Sequence, residues 1–383
     1  MDPLRLSRLL SAGLEAAWNC RLLTPPTLEP DDLLATAARA GPSCLGQGNW
    51  RAAFELLTED LRGSARLNAL GRTIAHGQLV GILRQRILAA RLWQRCPQIL
   101  DLPIREPVIV LGHMRSGTTR LHRLLACDPR FAFTRLHETL APLATSSARS
   151  IASTMAVQSL LHLCNPQLRR IHPTFAFAPE EEFGLHAHAF HGAMFEAQWN
   201  VPRFARHSER RDPGPVYLEF RRLVQTLRWR RREPEEKVQL LKAPQFMAEL
   251  DSVLGAFPGA RLLWVRRDLG EVVASTASLV WNQRRIQSDS ADRHAIGREW
   301  LDKTRMREER ALAALRKHDP PTLEIEYAAL NGDWRPQIQN VYRFLRYDLS
   351  PAVERRMAKV AGSIAHQGHR YSPEEFGLAP WPA

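Results

Sequence analysis

Along the chain, apolar positions recur three and four residues apart for roughly the first hundred residues and then give way to short unbroken apolar runs. Within 50–96, Phe54, Leu57 and Leu61, and then Leu79, Ile82, Leu83, Ile87 and Leu88, fall on single helical stripes. The pattern predicts helices from residue 4 to about 96, punctuated by Pro25-Pro26 and by the prolines between Pro103 and Pro107. At residue 107 the texture changes. Val108, Ile109, Val110 and Leu111 form a run rich in β-branched residues between Pro107 and Gly112, as a strand buried on both faces requires. Similar runs at 238–241, 261–265 and 322–325, each beside a helix-period segment, predict a parallel sheet covered on both sides.

A long, mostly helical stretch, 138–232, separates the first two of these strands. In its last helix Val216, Phe220, Leu223, Val224 and Leu227 share one face. Arg221, Arg222, Arg228, Arg230 and Arg231 lie elsewhere, which reads as a solvated basic face over a core stripe. The expected fold is α/β: a parallel sheet flanked by helices, with a helical N-terminal attachment over 1–100, a helical insertion, and the sheet-bearing domain over 101–383.

Composition narrows the class. With 44% apolar and 24% charged residues in 383, the chain can bury a large core, and bulk disorder is excluded. The net charge is +13, carried by 48 arginines and only five lysines, but the arginines are scattered and form no basic tail. That distribution points to an anionic ligand and not to nucleic acid. Cys20, Cys44, Cys96, Cys127 and Cys164 are widely spaced with no CxxC pair, as in a reducing compartment. Arg5, Arg8 and Glu15 interrupt the first apolar stretch, and no run reaches the roughly 18 residues of a spanning helix. A cytoplasmic protein without a transmembrane segment is expected.

The candidate chemistry begins immediately after the first strand, at Gly112-His113-Met114-Arg115-Ser116-Gly117-Thr118-Thr119. A strand, a glycine-bearing loop and a helix start direct backbone N–H groups and the positive end of a helix dipole at one point, which is an anion site. The glycines alone mean little, because about one G-x4-G pair is expected by chance in this composition; the strand–loop–helix context is what informs. A nucleoside triphosphatase or kinase would place lysine at position 118. Here it is Thr118, and the cation comes earlier, at Arg115.

Two further segments belong with the loop. The strand around Leu262–Val265 runs into Arg266-Arg267-Asp268-Leu269-Gly270-Glu271, where Asp268 and Glu271 have capping-box spacing; Ser275 lies two turns on, about 10 Å along the helix axis. Leu241-Lys242-Ala243-Pro244 ends another strand, and because open parallel sheets bind ligands at strand carboxyl ends, Lys242 is expected near the loop. His186, His188 and His191 follow three consecutive glutamates. On a helix the first two point about 200° apart, so metal binding is not expected and the histidines line an acceptor pocket or pack in the helical layer.

The segment P-V-I-V-L-G-H-M-R-S-G-T-T, 107–119, resembles the 5′-phosphosulfate loop of sulfotransferases that use 3′-phosphoadenosine 5′-phosphosulfate (PAPS), in particular the bacterial-type branch with R-S-G-T-T. The resemblance covers 105–378 in order and implies a P-loop type core. It implies that Arg115, Ser116, Gly117, Thr118 and Thr119 hold the 5′-phosphosulfate, and that Arg267 and Ser275 clamp the 3′-phosphate. Arg370, in a closing segment similar to that of the same branch, would add a phosphate contact. Cytosolic members carry Lys-x-His with the histidine as base; here Pro244 takes that place.

The resemblance thus implies a carboxylate base, for which Glu138 is expected, with Arg115 and Lys242 as the catalytic cations. Glu138 also reads as an acid at a helix N-terminus, and His137 and His113 are alternatives. A sulfuryl group carries less negative charge than a phosphoryl group, so no magnesium or other metal is expected. The acceptor is expected to be a small molecule or lipid with a hydroxyl or amine; Phe175, Phe177, Phe183, Phe190, Phe195 and Trp199 hint at an apolar one. A P-loop kinase or nucleoside triphosphatase, and a noncatalytic nucleotide-binding protein, are the other readings. The oligomeric state is left open.

Overall fold

A computed structural model describes residues 4–39, 45, 49–171, 173–363 and 372–379. Its centre is a five-stranded parallel sheet in the order β2-β3-β1-β4-β5. The strands are β1 (Val108–Leu111), β2 (Phe131–Ala132), β3 (Val238–Lys242), β4 (Arg261–Arg266) and β5 (Thr322–Glu326). Val108 stands opposite Leu240 on one side and Arg261 on the other, so β1 is central and all four of its residues are buried. The two-residue β2 is too short to show any period in the sequence; it forms by pairing Phe131 and Ala132 with Val238 and Gln239.

Alternation along β1 sorts the core into two layers. Val108 and Val110 join Leu121, Leu124, Ile338, Val341 and Met357, from the Thr118–Leu125, Trp334–Leu345 and Pro351–Ser363 helices. Ile109 and Leu111 join Phe220, Leu223, Val253 and Ala311, from the Gly214–Arg231, Leu250–Ala256 and Arg293–His318 helices on the other face. The covering on both sides is the one that unbroken apolar strands demand.

Among the described residues, four α-helices precede the sheet: Arg5–Asn19, Pro30–Ala38, Arg51–Arg62 and Ala69–Arg95. The last is capped by Asn68, whose side chain accepts the Gly71 N–H at 2.8 Å. Their apolar stripe does not close on itself. Leu33, Phe54, Leu57, Leu79 and Leu83 share one cluster with Phe190, Phe195, Trp199 and Phe204 of the insertion. No helix among the described residues is long and apolar enough to cross a membrane.

Candidate active site

Where β1 ends, the chain turns through three residues of positive φ: Gly112 at 151°, Arg115 at 69° and Gly117 at 97°. A Cβ on Gly117 would lie 2.4 Å from the Tyr327 ring, so both its backbone angle and the close ring require glycine. The Ser116 hydroxyl donates to the His113 carbonyl at 2.8 Å and closes the loop. The Thr118–Leu125 helix starts directly from Gly117, and its first N–H groups have no partner within the helix. Arg115 is an arginine held in the left-handed region by the surrounding loop, a conformation typical of strained functional turns.

The end of β4 meets this loop. Asp268 caps the Leu269–Gln287 helix, accepting the Glu271 N–H at 2.8 Å. The Arg267 Nη1 donates to the Arg115 carbonyl at 2.8 Å, its Nε and Nη2 donate to Glu271 at 2.9 and 2.8 Å, and its guanidinium lies over the Tyr327 ring at 4.4 Å. The Arg115 Nε donates to the Ser275 hydroxyl at 3.1 Å, and the Thr276 hydroxyl donates to the Met114 carbonyl at 3.2 Å. Arg115, Arg267 and Ser275, taken from two strand–helix junctions far apart in sequence, thus form one polar cluster.

Lys242 is the last residue of β3 and its side chain is fully buried. Its Nζ donates to Glu181 Oε1 at 2.6 Å and to the Thr119 hydroxyl at 3.1 Å. Its backbone N–H donates to Glu182 Oε2 at 2.8 Å. Burial pushes the Glu182 carboxyl up to about 8, so that side chain is neutral at ordinary pH. Three consecutive acids, Glu180, Glu181 and Glu182, following the acid-free stretch 139–179, are the sequence signal for this buried polar site.

Glu138 is positioned differently. It is the third residue of the short Leu136–Leu140 helix, and its Oε2 accepts the Arg135 N–H at 2.8 Å in a capping box. Its Oε1 accepts from the Arg231 Nε at 2.8 Å and from Arg135 Nη1 at 3.3 Å, and a second Arg231 nitrogen pairs with Oε2. Arg222 and Arg230 are exposed, as a solvated face requires, whereas Arg228 is buried and Arg231 half-buried, because loop carbonyls draw those two in. Arg228 donates to Lys237 and Pro234, Arg230 to Pro142, and Arg231 to Phe133.

His113 pairs with Glu308 at 2.8 Å, and burial lowers the His137 pKa. His186 stacks on Phe220 with 4.4 Å between ring centroids, and the His191 Nε2 lies 2.7 Å from Glu249. Among the described residues no three His, Cys, Asp or Glu side chains converge as metal ligands. Arg370 lies outside the described residues.

One cavity of about 690 Å³ joins the parts: Arg115, Gly117, Thr118, Thr119, Arg120, Glu181, Arg267 and Tyr327 line it, and Phe133, Phe175, Phe183, Met194 and Leu279 supply its apolar walls. Glu138 is not among the residues lining it. Phe190, Phe195 and Trp199 belong to the core instead.

A lysine-free phosphate loop on the central strand of a parallel sheet, with arginine and serine converging from the next strand, defines a P-loop type anion-binding enzyme site. The Sulfotransferase family profile matches residues 107–351, and the chain belongs to the sulfotransferase family. It is 26% identical over 285 residues to omega-hydroxy-beta-dihydromenaquinone-9 sulfotransferase Stf3 of Mycobacterium bovis and of Mycobacterium tuberculosis, covering 66% of this chain and 67% of that protein. Among solved structures, sulfotransferase STF1 from M. tuberculosis superposes with a TM-score of 0.80 at 27% identity, over 93% of this chain and 97% of that one. Sulfotransferase STF9 from Mycobacterium avium superposes with a TM-score of 0.79 at 24% identity, over 92% and 93%, and shares the fold.

Proposed function

We propose that the protein transfers a sulfuryl group from PAPS to a hydroxyl of an apolar, lipid-like acceptor. The observation that carries this reading is the convergence of two cationic centres on one loop: Arg115 and Arg267 line the cavity, with Ser275 bonded to Arg115, and Lys242 lies buried directly behind the cavity-lining Thr119 and Glu181. A ligand with anionic groups at both ends of an adenosine fits that arrangement. Guanidinium forks suit the 3′-phosphate, and the loop with its helix start suits the 5′ end. The curated relative named for omega-hydroxy-beta-dihydromenaquinone-9 and the apolar wall of Phe133, Phe175 and Phe183 support a lipid-like acceptor.

Bound PAPS would supply the sulfuryl group, with adenosine 3′,5′-bisphosphate as the product. Arg115 and Lys242 offset the negative charge that develops on the leaving phosphate, without a metal. Gly117, Thr118 and Thr119 orient that phosphate through the loop and helix start. Glu181, in contact with the Lys242 ammonium and lining the cavity, removes the acceptor proton. Glu138 was expected in that role, yet its carboxylate is engaged by Arg135 and Arg231; we assign it to holding the insertion against the Gly214–Arg231 helix.

Sulfate incorporation from radiolabelled PAPS, across hydroxylated lipids, sterols, phenols and sugars in the presence of a magnesium chelator, tests the activity. Lipid alcohols should be labelled. Glu181→Gln should lower turnover by about 10²-fold or more with little change in adenosine 3′,5′-bisphosphate affinity, whereas Glu138→Gln should mainly lower the thermal midpoint. The opposite pattern would return the base to Glu138.

A further inference from the structure

The Ser147–Cys164 helix packs Leu161 and Cys164 against the core yet turns other large apolar side chains outward. Its buried residues are Ser150, Thr154 and Cys164, while Met155, Val157, Leu160 and Leu163 face solvent with 53, 49, 37 and 62% of their surface exposed. At 100° per residue, Met155, Leu160 and Leu163 share an arc of about 140°. A helix apolar on its outward face is covered by something in its working environment. The face continues onto a neighbouring loop: Gln158 Nε2 donates to the Thr174 hydroxyl at 2.7 Å, and Phe175 and Phe177 project beside it with 59 and 60% exposed. Phe175 also lines the site cavity, so the apolar face reaches its mouth.

Charge identifies what covers it. Residues 139–179 contain no aspartate or glutamate, Arg149 and Arg169 on this segment are exposed, and the whole chain carries +13. A second copy would bring the same positive charge and would also cover the cavity mouth. A lipid surface with anionic headgroups complements both the apolar side chains and the arginines. We propose that the Ser147–Cys164 helix and the Phe175–Phe177 loop dock on an anionic bilayer surface, so that a lipid acceptor enters the cavity directly from the membrane. The cavity-entry part of this proposal rests on the lipid-acceptor reading above.

The test is co-sedimentation of the full chain with phosphatidylcholine vesicles, with and without phosphatidylglycerol. In parallel, calorimetry with adenosine 3′,5′-bisphosphate, light scattering for mass, and circular dichroism for folding are recorded. The wild type should partition about tenfold or more in favour of the anionic vesicles, falling as salt rises. The folded double variant Leu160→Ser with Leu163→Ser should lose about tenfold or more of that partition while keeping its nucleotide affinity. Arg149→Glu, which leaves the apolar side chains intact, should weaken the preference for anionic over neutral vesicles. Equal partition of wild type and double variant, no response to headgroup charge, or a solution dimer dispersed by the double variant would overturn the proposal. Vesicle binding without nucleotide binding would instead overturn the sulfotransfer reading and leave the docking face standing.

Discussion

At the scale of single residues, the site depends on which acids are buried with a cation and which are not. Glu182 lies beneath Lys242, accepts its backbone N–H, and has a second carboxyl oxygen that is buried with no hydrogen-bond partner. Its pKa, pushed up to about 8 by burial, means that the folded chain holds a proton which the unfolded chain releases near the ordinary value of 4.5. The resulting loss of stability is absent below pH 4.5, grows as pH rises, and is complete above about 8. Glu182→Gln should therefore flatten the decline in stability across that window, measured by urea unfolding at several pH values; an unchanged decline would contradict a buried neutral carboxyl. Lys242 and Arg115 were legible in the sequence because they flank strand ends with fixed geometry. Glu181 was not, since nothing in a helical insertion's periodicity says which of three adjacent acids turns toward a strand residue 61 positions ahead.

At the scale of elements, the strand–loop–helix unit at 108–125 is specified almost entirely by local chemistry. Four apolar residues make a strand that can only be central, and Gly117 makes a turn that only glycine can occupy against Tyr327. Gly117→Ala should cost about 1–3 kcal/mol in stability from the positive φ alone, with further loss from the ring contact, and should weaken adenosine 3′,5′-bisphosphate binding by about tenfold or more. Retention of full affinity and thermal midpoint would show that the loop tolerates another shape. The edge strand β5, Thr-Leu-Glu-Ile-Glu, buries only Ile325 and departs from the fully buried strand expected there, whereas β1, β3 and β4 followed from their apolar runs. The brief β2 and the inward arginines of the Gly214–Arg231 helix did not, because pairing partners and unpaired carbonyls are properties of the assembled sheet.

At the scale of the molecule, the N-terminal helices and the insertion complete each other's core. The Phe54 and Phe190 rings meet at a tilt with centroids 4.8 Å apart, and Phe195 stacks on Phe190 and on Trp199. The helical stripes of the first hundred residues predicted an apolar face, but not that its partner lies another hundred residues along. A chain starting at residue 101 should consequently expose Phe190, Phe195, Trp199 and Phe204 and aggregate. A monodisperse, cooperatively unfolding fragment would contradict a shared core.

The whole account turns on one ligand bridging two anion pockets, and calorimetry of the purified full-length chain with adenosine 3′,5′-bisphosphate and with AMP measures that most directly. The 3′-phosphate should strengthen binding about tenfold or more, and Arg267→Ala should erase most of the difference while leaving AMP affinity nearly unchanged. Equal affinity for the two nucleotides in the wild type would contradict it.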